Sequence, residues 1–181
     1  SQARVHYQSG GITAEPAPGT RLQLSPLTVQ GHMNVFPPYQ TQLHTSLPEL
    51  QISNQSGGDI RLDGLDIRST MRMTGDTLLT ERLQWAFREL KVAHAGMNLS
   101  VRGLSLEQAN LTDGRVLSGL TRLSLDAVSV SDRDHDLRVD PSAISLFADR
   151  MSWPGYQRLL AHSAEPDALQ QFFAAGVTLT L

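Results

Sequence analysis

Four short stretches of the sequence share one pattern, apolar residues alternating around a glycine or proline and followed by a second apolar pair. They are LQLSPLTV from Leu22, IRLDGLDI from Ile60, LSVRGLSL from Leu99 and LRVDPSAISL from Leu137. Their starts lie 38, 39 and 38 residues apart, and a fixed period of this length marks stacked structural units. A partner segment precedes each of the last three: LPELQI from Leu47, FRELKV from Phe87 and LTRLSL from Leu120. Each unit therefore reads as two strands and a connection. The units divide one continuous β-rich domain, 1–181, at about 3–46, 47–86, 87–119 and 120–181.

Apolar residues at every second position put one strand face on a core and the other in water, the pattern of a one-sided antiparallel sheet. The alternation then slips. Ile60 and Leu62 occupy even positions, Leu65 and Ile67 odd ones, with Gly64 between them. A β-bulge adds one residue, bends the strand and restores the apolar pairs to one face, and glycine adopts the required backbone most easily. Gly103 stands at the same place in its unit, and Pro26 and Pro141 replace it in the outer units. The expected sheet is thus bent and strongly twisted, with a tight turn at each Gly or Pro as the alternative.

The connections SNQSGGD, Ser53 to Asp59, and AHAGMN, Ala93 to Asn98, suit hairpins. The stretch TLLTERLQWAFREL, Thr77 to Leu90, carries both periodicities and is taken as strand, because Leu83, Trp85 and Phe87 alternate. Helical signals come only near the end. Ser152 and Pro154 precede Tyr156, Leu159 and Leu160, and Pro166 precedes Leu169, Phe172 and Phe173, with Gly176 as a stop. The expected fold class is mainly β (α+β): a twisted, bent antiparallel sheet of repeated hairpins with two short C-terminal helices packed on it.

Fifteen Lys plus Arg against eighteen Asp plus Glu give a net charge of -3, so there is no basic field for nucleic acid. The absence of cysteine removes disulfides, thiolate zinc sites and a Cys nucleophile. No apolar run reaches the roughly 18 residues of a membrane-spanning helix. The chain starts at Ser1 and stops in GVTLTL, Gly176 to Leu181. It is expected to be a piece of a longer protein.

The LSPL at Leu24 to Leu27, the LPELQI strand, the repeated L-x-G-L-x-I strands and the SWPGYQRLL segment leading to GVTLTL together resemble the YdgA-like family of uncharacterised bacterial envelope proteins. The resemblance covers most of the chain and rests on strand patterns and spacing. It implies a periplasmic body held to the inner membrane by an N-terminal helix, and it supplies no catalytic residues. A looser similarity links the pattern to AsmA-type proteins, whose curved sheets form lipid grooves.

Among chemical candidates, Asp132, Asp134 and Asp136 in SDRDHD match the opening of a calcium loop. Such a loop wants Gly at its sixth position and Glu at its twelfth, where this chain has Leu137 and Ala143. By the repeat register the run is a solvated hairpin tip. The histidines, His6, His32, His44, His94, His135 and His162, form no HExxH, and no GxSxG elbow accompanies the serines. Trp85, Phe87, Trp153, Tyr156, Phe172 and Phe173 are candidate lining for an apolar groove, though aromatics on apolar faces are more often core. No cofactor is expected. The expected function is a non-enzymatic periplasmic binding or scaffolding module with an apolar groove for lipid or peptide and a lipid or envelope protein as partner. The alternatives are a hydrolase whose site is not visible in sequence and a metal-binding module at Asp132–Asp136.

Overall fold

The computed structural model describes residues 2–74, 77–112, 116–152 and 177–180. They form β1 (Gln2–Gln8), β2 (Ile12–Ala17), β3 (Thr20–Leu24), β4 (Thr28–Asn34), β5 (Gln40–Asn54), β6 (Asp59–Thr74), β7 (Thr77–His94), β8 (Met97–Thr112), β9 (Val116–Leu125), β10 (Ala127–Ser131), β11 (Asp136–Val139), β12 (Ser142–Ser152) and β13 (Val177–Thr180). All thirteen belong to one antiparallel sheet. The protein is mainly β, and no helix occurs among the described residues. The two expected helices fall on residues 153–176, outside the described residues.

The short strands are segments of longer courses. β3 and β4 pair with β5 in a single register, Leu24 opposite Leu50 and Thr28 opposite Ser46, so β3 continues into β4. The same holds for β1 with β2 against β3 and β4, for β9 with β10 against β8, and for β11 with β12 against β10 and β9. The result is a meander of eight courses, each paired with the next in sequence, with β13 added beyond β12. At about 3.3 Å per residue the 18-residue β7 is roughly 60 Å long, and eight courses span about 34 Å.

Where the courses break, they break along one line. Continuing the registers places Gly10 beside Pro26, Pro26 beside Pro48, Pro48 beside Gly64, Gly64 beside Arg88, Arg88 beside Gly103, Gly103 beside Asp126 and Asp126 beside Pro141. This seam corrects the expected bulge. Gly64 and Gly103 do carry the left-handed backbone that favours glycine, with φ of 68° and 63°. Yet the register on either side of Gly64 is unchanged against both β5 and β7. Each neighbouring course carries its own extra residue, so the irregularity is shared across the sheet and none is left unmatched. The tight-turn alternative also fails, because β6 runs through Gly64 as one strand. True register shifts occur elsewhere, between Thr70 and Met71, between Ala14 and Ala17, and between Ala148 and Met151.

The prolines in the seam bring no N–H, and serine hydroxyls fill the gap. Ser25 Oγ donates to the Glu49 carbonyl at 2.9 Å and accepts from the Glu49 N–H at 2.7 Å. Ser9 Oγ accepts from the Leu27 N–H at 2.9 Å. The backbone beside Pro26 and Pro48 is thereby satisfied without a regular ladder.

The seam divides the sheet into a tip half, which carries the hairpin turns at 55–58, 95–96 and 132–135, and a far half. The β7–β8 tip has Ala95 at φ 49° and Gly96 at φ 86°, two positive values in succession, the tight hairpin geometry that matches strand twist. Few of the described residues are internal. Among the described residues the buried apolar side chains are Leu47, Leu79, Phe87, Leu117 and Ala127. The accessible area is 12075 Å², against about 8,600 Å² for a compact chain of this length.

Candidate functional site

The registers turn the sequence alternation into rows that cross the whole sheet. In the tip half, Ile12, Leu24, Leu50, Leu62, Leu90, Val101, Val128 and Val139 are consecutive partners, one from each course. Two residues further along each strand, Ala14, Leu22, Ile52, Ile60, Val92, Leu99, Val130 and Leu137 form a second such row. The motif starts Leu22, Ile60, Leu99 and Leu137 all stand in this second row, in every other course. None of the sixteen side chains is buried, and Leu137 is 63 % exposed. Cross-strand apolar pairs stabilise a sheet by about 0.2–1 kcal/mol each, but among the described residues no second layer completes their burial.

The far half has a matching row. Tyr7, Val29, Thr45, Ile67, Trp85, Leu106, Leu123 and Ile144 are consecutive partners. Trp85 meets Phe87 edge-on, ring centroids 5.5 Å apart at 89°, the preferred geometry for an aromatic pair. Phe87 is buried while Trp85 is half-buried. Of the six aromatic groove candidates the structure brings these two together; Trp153, Tyr156, Phe172 and Phe173 lie outside the described residues.

Residues between the apolar ones point the other way and make a polar face. In the tip half it carries Arg61, 3.2 Å from Glu49 and 3.1 Å from Asp63, and Lys91, 2.9 Å from Glu89. The hydrogen bond to Asp63 raises the Arg61 pKa, and that from Lys91 lowers the Glu89 pKa. In the far half a row runs His6, Gln30, His44, Arg68, Gln84, Glu107, Arg122 and Ser145. Beside it runs Arg4, His32, Gln42, Thr70 and Arg82. The middle of these rows, Gln30 to Gln84 in the first and His32 to Arg82 in the second, lines an open cleft of about 480 Å³. Within it His44 Nε2 lies 2.5 Å from Asp66 Oδ2, and Arg68 Nε lies 2.9 Å from Asp66 Oδ1. At the cleft's outer end Arg72 Nε is 2.8 Å from Glu81 Oε1 but makes no hydrogen bond, so this contact is an ion pair without N–H alignment.

Among the described residues one polar side chain is enclosed. Asn110, 6 % exposed, donates from Nδ2 to the Thr80 carbonyl at 2.9 Å. A Cβ at Gly119, its β9 partner, would stand 2.5 Å from Asn110 Oδ1, so the amide occupies the space that glycine leaves.

The acidic run sits at a hairpin tip. Asp132 Oδ1 accepts the Asp134 and His135 N–H groups, both at 2.8 Å, and lies 3.2 Å from His135 Nδ1. These bonds, the one from Asp134 first, pull the Asp132 pKa below its ordinary value. Its carboxylate caps the turn, and no group of three His, Asp or Glu side chains among the described residues is arranged to hold a metal ion.

The polar cleft escaped the sequence reading. Its members are spread from Gln30 to Gln84, and only the register sets them side by side. The signal was present in the polar residues between the apolar ones, but a row needs the partner of each residue to be known. Compared with protein-family models, curated proteins and solved structures, the chain matches none.

Proposed function

We propose that this protein is a non-enzymatic module of the bacterial cell envelope, periplasmic and anchored to the inner membrane in its full-length form, whose apolar sheet face receives a lipid acyl chain. The observation that carries this reading is the pair of eight-residue apolar rows in the tip half, sixteen side chains with none buried. A strip about 34 Å long by the strand spacing exceeds the scattered apolar exposure normal for a soluble surface. An acyl chain suits it because the strip is continuous, aliphatic and free of polar interruption. The strand-pattern resemblance to YdgA-like proteins supports the compartment.

A hydrolase would need a hydroxyl beside a positioned base. His44 has an orienting carboxylate in Asp66, and Ser69 and Thr70 are among the residues lining its cleft, but among the described residues neither hydroxyl is hydrogen-bonded to His44. This favours binding over nucleophilic chemistry.

The test is native mass spectrometry and solvent extraction of protein purified from envelopes, paired with displacement of a fluorescent fatty acid. Wild type is expected to carry acyl lipid and to bind the probe, and Val101→Asp with Val128→Asp to lose both. Protein that is repeatedly empty and silent toward the probe would remove the lipid reading.

A further inference from the structure

On the polar face of the far half, we infer a binding site for a tetrahedral oxyanion, a phosphate or sulfate group, held by Arg82 and Arg68 in the cleft between β4 and β7. The site lies on the opposite side of these strands from Ile67 and Trp85, since successive side chains alternate. It is therefore independent of the acyl-chain reading, and either can fail alone.

Arg68 faces Gln84 and Thr70 faces Arg82 across β6 and β7, so the two arginines are diagonal neighbours on one face. Diagonal neighbours in a sheet stay within reach of long side chains, and like charges so placed repel. The carboxylates nearby do not relieve this evenly. Asp66 is shared, taking Arg68 on one oxygen and His44 on the other. Glu81 is engaged by Arg72 at 2.8 Å and by Gln40 at 3.0 Å. Among the described residues Arg82 makes no ion pair; it lines the cleft and has Glu107 as its diagonal neighbour on β8.

The surrounding groups are those that complete an oxyanion's shell. Gln42 and Gln84 bring amide donors to the same cleft, and His32 brings an imidazole. The arginine fork fits two oxygens of a phosphate or sulfate, while the amides saturate the others without adding charge. Arg68, Arg82 and Arg122 stand against Asp66 and Glu107 on this part of the face, which leaves one excess positive charge, although the whole chain carries -3. An oxyanion bridging Arg68 and Arg82 would turn their repulsion into attraction.

The test is calorimetric titration with inorganic phosphate in low-chloride buffer, on wild type, Arg82→Gln, Arg82→Lys and Arg138→Gln. Arg138 is on β11, away from the cleft, and its loss changes net charge by the same amount. Wild type and Arg138→Gln are expected to show the same saturable heat. Arg82→Gln should bind about tenfold more weakly, the loss of one charge-assisted hydrogen bond. Arg82→Lys, which keeps the charge but not the fork, should fall between them, and unchanged circular dichroism would show that each variant folds. Flotation on phosphatidylglycerol against phosphatidylcholine vesicles separates the sources: recruitment to the first alone, lost in Arg82→Gln, marks a lipid headgroup. Saturable phosphate binding without recruitment marks a soluble ligand. The inference is overturned if wild type shows no saturable heat well above about 1 mM, or if Arg138→Gln weakens binding as much as Arg82→Gln.

Discussion

Replacing Gly103 with alanine probes the seam at its tightest point. Gly103 has φ 63°, and a Cβ there would overlap the Asp126 carboxylate and come within 2.9 Å of Asp126 Cβ. The cost has two parts. A left-handed backbone disfavours any side chain by roughly 1–2 kcal/mol, and forcing Asp126 aside adds about 1–3 kcal/mol. Gly57 isolates the first part, since it has φ 85° with nothing within 4 Å of the new methyl. At about 2–4 °C per kcal/mol for a chain of this size, Gly57→Ala should lower the thermal midpoint by roughly 2–8 °C. Gly103→Ala should lower it by roughly 4–20 °C, and adding Asp126→Gly should return it to the Gly57→Ala level apart from about 0.5–1 kcal/mol for the chain entropy of a new glycine between β9 and β10. Urea denaturation of the four proteins, with the slope held constant across the set, gives the same differences as free energies. If Gly103→Ala is no worse than Gly57→Ala, or if Asp126→Gly recovers nothing, Asp126 does not crowd Gly103 and the seam is looser than described.

Ser25→Ala leaves the half-buried Glu49 N–H without its acceptor beside two prolines, and should cost about 1–3 kcal/mol by urea denaturation; a cost near zero would mean water replaces the hydroxyl. Asp132 has a lowered pKa, so its contribution to the turn is present above the ordinary carboxylate value and is lost as pH falls through the lower folded value. A carboxyl NMR titration should place its midpoint below that of a free aspartate, and a midpoint at or above it would contradict the capping bonds. Because that carboxylate already accepts two backbone N–H groups, calcium at millimolar concentration should leave the thermal midpoint unchanged; a calcium-dependent rise would restore the metal reading. Gly119→Ala drives a methyl against Asn110 Oδ1 and should destabilise by about 1–3 kcal/mol, with Asn110→Ala in the same chain relieving the clash while giving up the bond to Thr80.

The strands were legible because their alternation is strict, and the ambiguous Thr77 to Leu90 segment is strand as its Leu83, Trp85 and Phe87 spacing indicated. The hairpin tips at Gln55–Gly58 and Ala95–Gly96 followed from turn chemistry that acts within a few residues. The seam was half legible. Gly64 and Gly103 announce positive φ locally, but whether an extra residue makes a bulge depends on the partner course, which a single strand does not reveal. Pro48 and Arg88, the opposite partners of Gly64, carry no pattern of their own. The cleft of Arg68 and Arg82 was illegible for the same reason: it is a property of register, and register links residues the chain keeps 14 positions apart. SDRDHD shows the reverse case, a short motif whose place at a hairpin tip followed from the repeat spacing, while the capping bonds to its first carboxylate did not.

Because every course pairs with the next in sequence, the sheet behaves like a slatted blind. Removing or inserting one two-strand unit of about 38 residues shortens or lengthens the apolar strip by two strand spacings, about 10 Å, and leaves the remaining slats in register. The seam passes through all eight, so each new slat must bring its own glycine, proline or polar break at the same height. Reach along the strip thus changes in fixed steps, while the width of the strip and the line of the fold stay constant.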